Sequence, residues 1–175
     1  MKRLYIAPLA LFLLVFAAST ADAQKKSTRK TTTKKTTATR VLPPLAVRTA
    51  REKVQIQDDN VNFWINKLGP IASALELLDQ SYATKKPSAQ TLSTHESRKQ
   101  NFVQILRNLR GDLALLESQF RTKLELKKYL PSIQGITDLA AESEDSAIAG
   151  NFVASQEPLR EVSKKLTDTL AAMPR

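Results

Sequence analysis

Apolar residues recur in alternating steps of three and four along residues 47–82, and this periodicity restricts the possible folds more than any other feature of the chain. Such spacing places the side chains on one face of a helix and is typical of helices that pack in bundles. Only Gln57 interrupts the series, and Gly69 and Pro70 fall inside it without changing its register. We therefore expect one long, kinked helix that begins near Leu45. Its apolar face consists of Val47, Ala50, Val54, Val61, Trp64, Leu68, Ile71, Leu75, Leu78 and Tyr82.

A second long helix is predicted after a polar connector at residues 85–92. Ser93 followed three residues later by Glu96 matches a capping box, which marks the start of a helix. We expect this helix to end near Leu130, because the residue before a proline, here Pro131, disfavours the helical conformation. Its apolar face consists of Phe102, Leu106, Leu109, Leu113, Leu116 and Phe120.

The remainder of the chain contains two further runs with helical spacing, separated by Gly150, Asn151 and Pro158. The first run is Ile133, Ile136, Ala140, Ala147 and Ile148, and the second is Leu159, Val162, Leu166 and Met173. The predicted fold is all-α: an antiparallel bundle of three long helices, the third broken near Gly150 to Pro158. A four-helix bundle is the alternative.

The first 23 residues have the pattern of a secretory signal peptide. A cationic start is followed by the apolar stretch Leu9–Ala18 and by small residues up to Ala23. We therefore expect residues 1–23 to be removed, the protein to be exported to the periplasm or the extracellular space, and no transmembrane segment to remain after processing. The chain has no cysteine, so neither disulfides nor a lipid-modified cysteine contribute to the expected domain, residues 45–175.

Positive charge is concentrated in a short segment that follows the signal peptide. Residues 24–40 carry seven cations and no acid, whereas residues 41–175 carry 18 Lys and Arg against 16 Asp and Glu. Because large apolar residues are absent from residues 24–40, the segment 24–44 is predicted to be a disordered arm that ends in a proline connector at residues 41–44. The candidate polyanion-binding residues are Lys25, Lys26, Arg29, Lys30, Lys34, Lys35 and Arg40.

The cationic arm is the best functional candidate that the sequence offers. Its charges favour an anionic envelope surface or a general polyanion, such as nucleic acid or acidic polysaccharide. It has no aromatic residue to stack on bases, so sequence-specific nucleic-acid recognition is not expected. If the arm has no binding function, it serves as an extended, soluble spacer.

Residues that could carry chemistry are few. His95 is the only histidine, and we expect it to be an exposed residue in the first turn of its helix, without partners at metal-ligand spacing. The acidic runs at residues 58–59 and 142–145 are expected to be solvated helix faces. No catalytic residue, metal site or cofactor is predicted, and the chain is not expected to be an enzyme. Polar groups converging inside the bundle would favour an enzyme or a small-ligand carrier instead.

A second apolar line on the first helix consists of Ile56, Phe63 and Leu77, which share one heptad position. The favoured interpretation is that they pack against a third helix of the bundle, because a bundle helix with two neighbours has a wide apolar face. Otherwise they form a surface for a protein partner or for self-association. Trp64 is expected to be a core anchor. The sequence thus predicts an exported, non-enzymatic interaction or structural protein tethered by its cationic arm, with a non-specific polyanion-binding protein as the alternative.

Overall fold

The computed structural model describes residues 42–175, and within them every regular element is helical. The predicted signal peptide and the cationic residues 24–40 lie outside the described residues. Five helices pack together around one apolar core, so the all-α prediction is confirmed. The helices are α1 (Leu45–Thr84), α2 (Ala89–Thr122), α3 (Leu130–Ile133), α4 (Ile136–Ile148) and α5 (Gln156–Ala172), and a 3₁₀ helix at Leu124–Tyr129 precedes α3.

Helix α1 is continuous over 40 residues and includes Pro70, as its unbroken apolar register predicts. The predicted apolar face is largely buried, with Val54, Val61 and Leu68 fully so. Ile71 is an exception and is 43% exposed, because it borders an open groove between α1 and α2. Gly69 is explained by packing: a Cβ atom there would lie 3.2 Å from Oε1 of Gln156, so glycine lets the start of α5 approach α1 closely.

The predicted start of α2 is wrong by about one turn. The helix begins at Ala89, and the hydroxyl of Ser88 accepts a hydrogen bond from the backbone N–H of Thr91 at 3.2 Å. Ser88 is itself a good N-cap residue, so the helix already runs through Ser93 and Glu96 and no capping box forms there.

The predicted end of α2 is also wrong, since the helix ends at Thr122 rather than near Leu130. Lys123 is extended, with φ −87° and ψ 123°, and the chain then turns into the 3₁₀ helix. This turn buries Leu126 and Tyr129 while leaving Leu124 78% exposed. The chain therefore buries Leu126 and Tyr129 by turning here, instead of continuing α2. The predicted apolar face of α2 is confirmed, since all six of its residues are buried.

Helix α5 packs antiparallel to α1. Arg51 near the start of α1 contacts the carbonyl of Leu170 at the end of α5, whereas Gly69 faces Gln156 at the start of α5. The predicted break before α5 is confirmed at Gly150 and Asn151 but not at Pro158, which lies in the first turn of α5. Proline is tolerated there because the first N–H groups of a helix have no intrahelical acceptor.

Helices α2 and α4 are also antiparallel. Arg107 pairs with Glu144 near the end of α4, and Glu117, ten residues further along α2, binds Thr137 in the first turn of α4. Helices α4 and α5 contact each other as well. Gly135 and Gly150, at the two ends of α4, have φ values of 88° and 86°. This left-handed conformation is strained for other residues.

The tip of the hairpin formed by α1 and α2 is more thinly packed than its base. From residue 76 to residue 94 no side chain is classed as buried, whereas the adjoining Leu75 and His95 are 2% and 3% exposed. Helix α5 starts opposite Gly69, and the segment before α5 reaches Glu76 of α1, whose side chain accepts a hydrogen bond from the N–H of Val153. The tip is therefore two helices thick.

Candidate functional site

The predicted partner face, Ile56, Phe63 and Leu77, is exposed in the structure. The exposed fractions of these side chains are 63%, 51% and 65%. The favoured interpretation, packing against a third helix, is therefore wrong, because α5 covers a different side of α1 through Arg51 and Asp58. The ring of Phe63 instead packs edge-on against the half-buried Trp64, with centroids 5.2 Å apart. A partner or self-association surface remains the prediction for this face.

A cluster of arginines lies near the start of α1 and the end of the chain. Arg48, Arg51 and Arg175 line one depression, together with Ile56 and Pro174. Arg51 donates hydrogen bonds to the carbonyls of Leu170 and Met173 and so caps the end of α5. Arg48 and Arg175 make no ion pair within residues 42–175. The same depression is also lined by Glu52, so three arginines share it with one acidic side chain.

His95 is buried, which corrects the expectation that it is exposed. Its Nε2 lies 2.8 Å from Oδ1 of Asp79, and Nζ of Lys99 lies 2.6 Å from the same oxygen. The ring of Tyr82 packs edge-on at 5.2 Å, and His95 Nδ1 has no hydrogen-bond partner. The reason for the burial is the early start of α2, which places His95 in the second turn and toward α1.

Charge within this cluster favours the ionised forms of Asp79 and Lys99. Burial alone would raise the pKa of Asp79, but hydrogen bonds and charge from Lys99 and His95 outweigh it and lower that pKa. Burial alone would lower the pKa of Lys99, but Asp79 and, to a smaller extent, Glu96 raise it. The cluster therefore behaves as an ionic clasp between α1 and α2.

Glu117 is a buried carboxylate that caps another helix. It accepts hydrogen bonds from the N–H of Gly135 at 3.0 Å and from the N–H and hydroxyl of Thr137 at 3.1 and 2.7 Å, and Arg121 pairs with it at 2.5 Å. Burial by itself would raise its pKa, but these bonds dominate and lower the pKa to about 2. Glu117 thus satisfies the N-terminal N–H groups of α4, which Gly135 has no side chain to cap.

Two further carboxylates are buried, contrary to the expectation of solvated acidic runs. Glu144 pairs with Arg107 Nε at 2.8 Å and lies 2.9 Å from Arg110 Nη1, although the latter contact is not aligned as a hydrogen bond. Asp58 Oδ1 accepts from the hydroxyl of Ser163 at 3.0 Å and from Asn62 at 3.1 Å. Glu144 thus joins α4 to α2, and Asp58 joins α1 to α5.

An apolar groove of about 400 Å³ runs between α1 and α2 near the tip of their hairpin. Leu68, Ile71, Ala74 and Leu78 contribute from α1, and Phe102 and Ile105 contribute from α2. Arg98 is the only charged residue that lines it. The groove was not predicted from the sequence, because its walls belong to the same apolar faces that build the core.

The buried polar groups are therefore engaged in holding helices together. Within residues 42–175 no three His, Asp or Glu side chains converge in a way that would hold a metal ion. None of the helices in this part of the chain is long and apolar enough to cross a bilayer. Asp79 and Thr137 were missed as partners of His95 and Glu117 because they lie 16 and 20 residues away in the sequence, on other helices, and no local spacing identifies them.

No protein-family model, curated protein or solved structure matches this chain. The candidate sites therefore rest on the geometry of the described residues and on the sequence.

Proposed function

We propose that this chain is an exported, non-enzymatic helical-bundle protein that acts through interactions. Its cationic residues 24–40 hold it to an anionic envelope surface, and its bundle contacts a protein partner or a second copy through the face Ile56, Phe63 and Leu77. The proposed location is the periplasm or the extracellular space, reached by means of the signal peptide. No cofactor takes part.

The observation that carries the interaction role is the exposure of the partner face. Three large apolar side chains between 51% and 65% exposed lie on the first helix, at a shared heptad position that no other helix of the described bundle covers. Burying such side chains removes apolar surface from water, which favours association by about 25 cal/mol per Å². The face is thus suited to a protein contact.

The buried carboxylates support a structural role for the polar interior. Asp58, Glu117 and Glu144 each bind side chains or backbone groups that join helices. A catalytic carboxylate needs a free oxygen within reach of a substrate. These contacts favour a bundle that is stabilised by its polar groups rather than one that uses them in a reaction.

The antiparallel pairings bear on the number of helices in the bundle. Helix α4 runs antiparallel to α2, α5 runs antiparallel to α1, and α4 and α5 contact each other. This arrangement favours the four-helix alternative, made of α1, α2, α4 and α5, over three long helices with a broken third.

The tether is tested by neutralising charge in the mature chain, residues 24–175. All seven cations of residues 24–40 are replaced by Gln, and binding to phosphatidylglycerol vesicles is measured over a salt series. Each Lys or Arg near an anionic surface contributes about 1 kcal/mol, so the expected loss exceeds about 100-fold. The control variant replaces seven exposed lysines of the bundle with Gln and so has the same net charge as the arm variant. These lysines are Lys67, Lys85, Lys86, Lys123, Lys127, Lys128 and Lys164.

Equal losses in the two variants would show that total charge, rather than the arm, governs binding. Binding of the parent chain to duplex DNA and acidic polysaccharide as strong as its binding to vesicles would favour the polyanion-binding alternative, to which Arg48 and Arg175 would also contribute. If the arm variant still binds vesicles, the tether proposal is wrong and the arm acts only as a spacer.

The partner face is tested by sedimentation equilibrium. Replacing Ile56, Phe63 and Leu77 with Ser is expected to weaken self-association of the mature chain. The matched control replaces three other exposed leucines, Leu45, Leu115 and Leu124, and is expected to leave self-association unchanged. A parent chain that stays monomeric at all concentrations would contradict self-association through this face.

A further inference from the structure

The groove between α1 and α2 has two polar residues in its lining, and only one of them is charged. Arg98 and Asn101 border it on α2, and Arg98 also borders the neighbouring depression beside His95, toward the hairpin tip. Toward the base of the hairpin the groove is bordered by Leu68 and Ile105, and Leu68 is fully buried. The groove is therefore apolar along its floor and cationic at its outer end.

We propose that this groove binds a single-chain anionic amphiphile, a free fatty acid of medium length. The acyl chain lies along the apolar floor, and the carboxylate pairs with the guanidinium of Arg98. This goes beyond the proposed function, because it requires neither the cationic arm nor the face formed by Ile56, Phe63 and Leu77.

Charge complementarity selects an anionic head group. Arg98 makes no ion pair with any other residue of the range 42–175. Glu96, two residues before it on α2, and Asp79 on α1 both pair with Lys99 instead. The planar guanidinium of arginine presents paired donors that match a carboxylate.

Dimensions and polarity select a flexible apolar tail. The groove extends along α1 from Leu68 to Leu78, which is about 15 Å at the helical rise per residue. Its volume of about 400 Å³ lies within the range of small-molecule sites. Apart from Arg98 and Asn101 its walls are apolar, with Ile71, Ala74 and Ile105 among them. A ligand with several polar groups would leave them without partners, whereas an acyl chain would not.

The test uses the mature chain and dodecanoate below its micellar concentration, with calorimetric titration at neutral pH. The fluorescence of Trp64, the only tryptophan, is the second readout, because this residue lies one turn before Leu68. We expect one saturable site for each chain. Affinity is expected to rise by up to about fourfold for each added methylene and to level off once the acyl chain fills the groove.

Two matched pairs of variants separate this site from non-specific binding. Ala74→Phe fills the groove and is expected to weaken binding at least tenfold, whereas Ala83→Phe, at an exposed position of the same helix outside the groove, is expected to leave it unchanged. Arg98→Gln is expected to weaken dodecanoate binding about 10-fold or more, since bonds to charged groups are strong. Lys86→Gln, which removes an exposed cation at the tip, is expected to have no such effect.

Three results would overturn the proposal. The first is equal affinity for undecyltrimethylammonium, which has the same undecyl tail and the opposite charge. The second is unchanged dodecanoate binding in Ala74→Phe when its circular dichroism shows a folded protein. The third is a parent dimer that Ala74→Phe converts to monomers, which would show that a second copy covers the groove.

Discussion

Glu117 offers a sharp test of the energetics of the bundle. Replacing it with Gln keeps the size of the side chain but removes the charge that accepts hydrogen bonds from Gly135, Thr137 and Arg121. The pKa of Glu117 falls from 4.5 to about 2 on folding, which corresponds to about 3 kcal/mol. Arg121 is 56% exposed, so its share is reduced by solvent. We expect Glu117→Gln to lower the free energy of unfolding by about 2 to 3 kcal/mol at pH 7.

The loss must depend on pH in a defined direction. Because folding lowers the pKa of Glu117, the carboxylate stabilises the fold fully above about pH 4.5, and this contribution disappears as the pH falls toward about 2. The difference in unfolding free energy between the parent and Glu117→Gln is therefore expected to shrink over that interval.

Urea unfolding of both proteins from pH 7 to pH 2.5 measures this difference directly. Glu142→Gln, at an exposed position of α4, is the control and is expected to differ little from the parent at any pH. A difference for Glu117→Gln that stays constant over the whole pH range would refute the capping argument, because it would show a loss of packing rather than of charge. A difference below about 0.5 kcal/mol at pH 7 would refute it as well.

Four other substitutions test separate features by thermal or urea unfolding. Gly111→Ala should stabilise the protein by about 1 kcal/mol, because Gly111 lies inside α2 with open space around it, whereas Gly150→Ala should destabilise it by about 1 to 2 kcal/mol, because φ there is 86°. If the entropy of the unfolded chain alone determined both effects, both glycine substitutions would stabilise the protein. Gln57→Leu should stabilise by about 1 kcal/mol, since the buried Oε1 of Gln57 has no hydrogen-bond partner, and destabilisation would indicate a bound water. Asp79→Asn should lower the melting temperature at pH 7, and the effect should fade as the pH drops below 3.8 toward the lowered pKa of Asp79; an effect of the same size at pH 2.5 would exclude the ionic clasp with His95.

How well the sequence predicts a feature depends on how far apart in the chain the interacting residues lie. Val54, Leu68 and Leu113 were identified as core residues because helical periodicity is a local property of the chain. The predicted start of α2 is wrong because Ser88 and Ser93 are both suitable N-caps. The burial of His95 against α1 distinguishes the two possible start positions.

The candidate site was less predictable than the core. The exposure of Phe63 depends on which side of α1 is covered by α5, and that is decided by contacts more than 100 residues apart in the sequence, such as Asp58 with Ser163. The groove depends on the separation of α1 from α2 near Ile71 and Arg98. No repeat or motif encodes that separation.

The thin packing of the hairpin tip has a consequence for motion. Residues 76–94 contain no buried side chain, so few apolar contacts oppose local opening there, and such segments form separate cooperative units in native-state hydrogen exchange. We expect amide protection to fall sharply beyond Leu75 and before His95, with the Asp79 clasp setting the boundary. Any ligand that spans Leu78 and Arg98 would then slow exchange across the tip, because it would join the two helices where the fold itself provides the fewest contacts.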